Sequence, residues 1–313
     1  MRTEHRLLGS YTSIFFIVLA ALVSGGVGAL AKISLREIPP LPFTLLRFLL
    51  ATCTLLPFAI KKKEFHFKNL KKIVFVSLLA TANVTLYIFG LERTTATISQ
   101  MLYAGVPLIA GLFSFLLLKE KLYPRKLFGI LIGFIGVLLI VFLPVMGQRA
   151  IWNGDLLGNV IILIAVCSFA LYSVLSKRFE KEYAPLEITV FFVLTTTFVQ
   201  LALAPFDLVR HPHWWNGISL TAIFGVVYAG VLGTGIFYLI YQHTIKNTTP
   251  IIASMILYLQ PVFGFLWASV LLGEKITPEL MLGAILAFIG VALVTNLGKP
   301  ETDREFTGEE HNQ

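Results

Sequence analysis

Residues 107–137 read PLIAGLFSFLLLKEKLYPRKLFGILIGFIGV, and residues 261–291 read PVFGFLWASVLLGEKITPELMLGAILAFIGV. At an offset of 154 these segments match Pro107 with Pro261, Leu117 with Leu271, Glu120 with Glu274, Lys121 with Lys275 and Pro124 with Pro278. Gly129, Gly136 and Val137 fall on Gly283, Gly290 and Val291 at the same offset. So do Tyr87 with Tyr241, Thr94 with Thr248 and Thr95 with Thr249. Earlier in each half the register becomes 145, pairing Lys32 with Lys177 and Pro40 with Pro185. The chain is a duplication.

What is duplicated is apolar. Hydrophobic residues make up 57% of the 313 positions, charged residues only 13%, and the mean hydropathy is +0.82. A water-soluble chain carries about a quarter charged residues, so this composition excludes a soluble fold, disorder and a disulfide scaffold. Cys53 and Cys167 both lie in apolar stretches and are not expected to pair.

A bilayer core of about 30 Å takes roughly 20 apolar residues as helix. Ten stretches qualify, near 11–31, 43–60, 73–91, 97–118, 127–143, 157–176, 188–206, 218–242, 250–272 and 280–297. The expected fold is therefore all-α and membrane-integral. Five helices fall in a first repeat over 11–143 and five in a second over 155–297. Residues 298–313, with five acidic side chains, form a polar tail expected to be disordered. Arg2, Arg6 and the Ala29-Leu30-Ala31 triplet fit a signal peptide. The apolar run is long for one, however, and the repeat needs this helix, so it is read as retained.

Lys and Arg fix the expected direction. With the N-terminus inside, cytoplasmic segments carry eighteen of them and external segments six, Arg47 lying within a span. By the positive-inside rule both termini are expected in the cytoplasm, with the inner (cytoplasmic) membrane as the location. The densest basic run, KKKEFHFKNLKK at 61–72, is a short inner loop facing lipid head groups, not a nucleic-acid site. An odd number of helices per repeat makes the second copy enter from the opposite side. Inverted repeats recur in secondary transporters, where exchanging the half-structures gives inward- and outward-open states of similar energy.

The PPLPFTLLRF segment at 39–48 and the paired Pro…Glu-Lys…Gly-rich segments resemble the EamA family of the drug/metabolite transporter superfamily. The resemblance covers about 10–297. It implies ten helices in inverted halves around a central cavity, and movement of small metabolites, often exported amino acids.

Polar residues at helical spacing are the candidate substrate-binding positions: Asn83 and Tyr87, Gln100 and Tyr103, Tyr238 and Tyr241 (sharing a face with Thr234), and Ser254 and Tyr258. Polar faces are costly against lipid and should turn inward, either lining a cavity or bonding helix to helix. Their convergence favours the cavity. Pro107 and Pro261 interrupt equivalent helices and are candidate hinge or gating positions, with a packing kink as the plainer reading. Arg47 is the charge candidate. It either faces the site or, the simpler reading, snorkels outward or pairs with Glu92. Its place in the second repeat is taken by Phe192. The glycines at 129, 133 and 136, with Gly283, Ala287 and Gly290, allow close helix packing and leave a homodimer face open.

No His-Glu-x-x-His, Gly-x-Ser-x-Gly or phosphate-loop motif is present. No enzyme activity, cofactor or metal is expected. Asparagine, glutamine and tyrosine without a Lys/Arg cluster favour a neutral or zwitterionic cargo, amino acids before amphipathic drugs, over phosphorylated compounds. With no deep carboxylate, facilitated efflux or exchange is expected. A passive small-solute channel is the alternative, with a membrane-embedded enzyme behind it.

Overall fold

The computed structural model describes residues 2–62, 70–118, 124–146, 154–176, 182–241 and 250–295. Glu120, Lys121, the middle of the basic 61–72 loop and the 298–313 tail lie outside them, as do the side chains of Ser254 and Tyr258. All regular elements among the described residues are helical: α1 (Arg2–Ser34), α2 (Pro40–Lys62), α3 (Leu70–Arg93), α4 (Ala96–Tyr103), α5 (Val106–Leu118), α6 (Pro124–Met146), α7 (Leu156–Ser176), α8 (Pro185–Arg210), α9 (Leu220–Val227), a π-helical segment (Tyr228–Ile236), α10 (Pro250–Leu272) and α11 (Pro278–Thr295).

Among the described residues, six helical stretches are long and apolar enough to cross a bilayer: Pro40–Lys61, Leu70–Arg93, Ala96–Leu117, Leu156–Ser176, Pro185–Arg210 and Leu220–Tyr241. Shorter apolar helices, Val18–Ser34, Leu127–Leu143, Gln260–Leu272 and Pro278–Gly290, occupy the other four stretches. Large apolar side chains such as Phe58, Phe75, Ile135, Phe198, Phe206 and Val270 are exposed on the outside of the bundle. Such a surface is stable against lipid and not against water. The chain is a multi-pass membrane protein.

The packing partners come from opposite halves. Helix α6 packs on α11, α3 on α7, α1 on α10 and α2 on α8, while α2 also meets the π segment and α3 meets α8. In the α6–α11 pair, a Cβ on Gly136 would run into the Gly283 carbonyl and the Ala287 backbone, and one on Gly290 into Gly133. These glycines are used inside the chain, so the dimer face read on them is not free.

One end of the bundle is tied by side chains that satisfy helix termini. Helix α3 ends on the Lys32 ammonium, which donates to the carbonyls of Leu91 (2.6 Å), Glu92 (3.1 Å) and Thr94. These are C-terminal carbonyls with no partner inside the helix. Helix α4 begins with Thr95 accepting from Ile98 N at 3.1 Å, and the buried Glu274 carboxylate accepts from Ala96 N at 2.9 Å and Thr97 N at 2.8 Å. Gly273, at φ +67°, turns the chain after α10 and precedes this carboxylate. Asp207 likewise accepts from Leu41 N at 3.0 Å, and Glu37 from Ser219 N at 2.6 Å. Arg93 bonds Asp155 at 2.8 Å and holds that carboxyl below its usual range.

Candidate functional site

Between the halves lies a cavity of about 70 Å³, room for about five waters at ~10–15 Å³ each. The first half lines it with Ser24 and Val27 of α1, Arg47 of α2, Asn83, Val84 and Tyr87 of α3, and Gln100 and Tyr103 of α4. From the second half come Gly233 of the π segment, Phe237, Tyr238 and Gln260 of α10.

Arg47 supplies the one formal charge in this lining. It is 6% exposed, and its Nε donates to Thr234 Oγ1 at 2.7 Å. Its guanidinium carbon stands 5.6 Å from the centre of the Phe48 ring. Arg47 neither reaches the interface nor pairs with Glu92. The simpler sequence reading is corrected, because Arg47 finds an acceptor, Thr234, and a cavity wall inside the bundle. The acceptor is a product of the π segment. There Thr234 Oγ1 returns its own proton to Ala229 O, five residues back, at 2.8 Å. Gly230 has no side chain to hold the segment off α2, where a Cβ would stand 2.7 Å from the Arg47 carbonyl. Wide turns of this kind recur at functional sites.

Opposite Arg47 the walls are aromatic. Tyr87 and Tyr103 meet edge to face at 5.3 Å, while Tyr103 and Phe169, at 6.3 Å, and Phe192 and Tyr238, at 5.1 Å, are tilted pairs. Asn83 is fixed by donating to the Tyr103 hydroxyl and to Ala165 O, the latter at 2.8 Å. Gln100 Oε1 is buried without a hydrogen-bond partner among the described residues, while the buried Tyr87 hydroxyl meets the side chains of Ser99 and Gln100. A Cβ on Gly28 would stand 2.9 Å from Gln100 Nε2, and one on Gly264 2.6 Å from Gln100 Cγ. Two glycines therefore clamp this side chain, and only at glycine could the backbones of α1 and α10 approach so closely.

Of the sequence-predicted residues, Asn83, Tyr87, Gln100, Tyr103, Tyr238 and Arg47 are brought together. Tyr241 is outside the lining and stacks on Phe237 at 5.9 Å. The two prolines are not equivalent. Pro107 follows a true break, Ala104–Gly105, between α4 and α5, whereas Pro261 lies inside the continuous α10. Ser24, Phe237 and Gln260 were missed. Gln260, a polar residue directly before Pro261, carried a usable signal; Ser24 and Phe237 had none that separated them from packing residues.

The family model of EamA-like transporters matches residues 11–142 and 156–296. The chain belongs to this family. Its EamA relatives include an uncharacterized transporter of Clostridium kluyveri, 26% identical and covering 84% of this chain and 86% of its own. Another, from Archaeoglobus fulgidus, is 28% identical over 89% and 96% of the two chains. The uncharacterized transporter YetK of Bacillus subtilis is 29% identical over 97% and 91%. One crystal structure matches with a TM-score of 0.63 at 20% identity, covering 90% of this chain and 96% of the other; that likeness is one of fold. The three sequence relatives are named transporters.

Proposed function

We propose that this EamA protein is a secondary transporter of ten spans in two inverted five-helix halves, both termini cytoplasmic. It carries a small neutral or zwitterionic metabolite, amino acids first, by alternating access in efflux or exchange. The observation that carries this reading is the cavity between the halves, walled by tyrosines, amides and one arginine, with no Asp or Glu among its lining residues. Aromatic faces and neutral hydrogen-bonding groups suit such solutes, while a multiply charged phosphate would need more cations than Arg47 to replace its water.

The packing supports inverted halves. Exchanging α1 with α7, α2 with α8, α3 with α9 and the π segment, α4 and α5 with α10, and α6 with α11 returns the α6–α11 and α2–α8 pairs to themselves and turns the packing of α2 on the π segment into that of α8 on α3. The α3–α7 and α1–α10 pairs become those of α1 with α9 and the π segment and of α7 with α4 and α5, which are also present. Two half-structures with interchangeable contacts are what alternating access needs. At about 70 Å³ the cavity is below the usual range for ligand pockets, ~300–1,000 Å³. Loading therefore goes with movement of the halves.

The test is uptake and counterflow in liposomes holding the purified protein, across amino acids, nucleosides and sugar phosphates. Saturable counterflow of amino acids is expected, reduced at least tenfold in Tyr87→Ala and Tyr238→Ala and less than threefold in Tyr241→Ala. Non-saturable flux would make the protein a pore, and saturable flux confined to phosphorylated compounds would refute the cargo class.

A further inference from the structure

Resting on that transport reading, we propose that Arg47 binds the substrate's carboxylate, so that the cargo is a monocarboxylate, with zwitterionic amino acids fitting best.

A guanidinium presents five N–H donors in a planar fork. In Arg47 the Nε–H is taken by Thr234, which also fixes the plane of the fork. Among the described residues Arg47 makes this one side-chain hydrogen bond and no ion pair with a carboxylate, and it stands in the cavity wall. A buried cation in this condition is costly until an anion pairs with it. No residue of the lining supplies that anion. The vacant edge of the fork takes two parallel N–H···O bonds, the match for a carboxylate. One carboxylate neutralises one arginine. A phosphate monoester would bring a second negative charge, with no further Lys or Arg in the lining to meet it.

The rest of the wall suits the other end of an amino acid. Gln100 Oε1 is a buried acceptor without a partner among the described residues, able to receive an ammonium's N–H donor. The faces of Tyr103 and Tyr238 add cation–π attraction. A molecule lacking the carboxylate would leave the Arg47 fork bare, and one lacking the ammonium would forgo only these weaker contacts. Discrimination should therefore fall mainly on the acid group.

The experiment uses the full chain in liposomes and asks wild-type protein to choose. The twenty amino acids are ranked by counterflow. The best is then compared with its amide, its decarboxylated amine and its deaminated acid, each as a competitor. The amide and amine should compete at least tenfold more weakly than the amino acid, and the deaminated acid less than tenfold more weakly. Arg47→Gln should lose at least tenfold in transport, with Arg47→Lys between the two. Thermal stabilisation by the same compounds in detergent reads binding alone, and should disappear in Arg47→Gln. If Arg47→Gln does not fold, the wild-type competition series decides by itself. Equal competition by amide and acid, or full transport in Arg47→Gln, overturns the role of Arg47 and leaves the transporter reading standing. Absence of saturable transport for every amino acid tested overturns both.

Discussion

Gln100 illustrates how closely this site is set by single residues. Its amide is pinned between Gly28 and Gly264, and the two glycines should respond differently to substitution. In Gly28→Ala the new methyl group meets the end of the amide, 2.9 Å from Nε2, and the Tyr87 hydroxyl at 3.1 Å. That amide can swing, so a KM change of several-fold with little loss of thermal stability is expected. In Gly264→Ala the methyl group falls 2.6 Å from Cγ, nearer the stem of the side chain. Gly25 also packs on the Gly264 backbone, so the helices must separate. A destabilisation of about 1–3 kcal/mol follows from such overpacking, and a lower melting temperature checks it. At this scale the sequence was half legible. Polar groups in apolar helices advertise themselves, which is why Asn83, Tyr87, Gln100, Tyr103 and Tyr238 could be read in advance. The direction in which Arg47 points could not be read, because it depends on Thr234, a partner 187 residues away in an irregular helix.

At the level of elements, helix ends connect the halves. Glu274 follows α10, yet its carboxylate completes the first turn of α4, accepting from two N–H groups that have no intrahelical partner. Glu274→Ala leaves both buried donors bare, at a cost of about 1–3 kcal/mol each; Glu274→Gln keeps one acceptor and should cost less. Melting temperatures of the two variants would show the order. The Glu-Lys pair was legible as a landmark of the repeat, but the capping role belongs to a fold that brings residues 178 positions apart together. Acid should loosen the same end of the bundle. Glu37, bonded by the Ser219 backbone and hydroxyl, and Asp155, bonded by Arg93, both titrate below their usual values. A carboxyl lowered on folding contributes stability above its unfolded pKa, roughly 4, and loses it as pH falls through the folded value. Melting temperature should therefore be flat between pH 6 and 8 and drop in acid, the drop diminishing in Asp155→Asn. The helix break at Ala104–Gly105 was anticipated from Pro107. The continuity of α10 through Pro261 was not, since tertiary packing decides whether a proline bends a helix or breaks it.

For the molecule as a whole, the sequence disclosed the duplication, and composition disclosed the membrane. Cysteines placed one at a time give the direct check on direction: Asn216→Cys should react with an impermeant thiol reagent from outside the cell and Ser10→Cys should not. Both native cysteines, Cys53 and Cys167, are first replaced by alanine. Labelling in the opposite sense would overturn the cytoplasmic termini, and labelling of both from the same side would overturn the inverted halves. The same architecture has a kinetic consequence. On the proposed alternating-access reading, a carrier returning empty must close its halves around Arg47 with no anion beside it, and burying a bare guanidinium raises the barrier of that step. To return loaded, it closes around a neutralised pair. Exchange should therefore outrun net flux. Efflux of a preloaded, transported amino acid from proteoliposomes should accelerate at least fivefold when the same amino acid is added outside, and lose most of that acceleration in Arg47→Gln. An imposed proton gradient should change the rate little, because no carboxylate lines the cavity to carry a proton with the substrate. Strict dependence on that gradient would mean that a group outside this cavity performs the coupling, and would exclude simple exchange as the mode of transport.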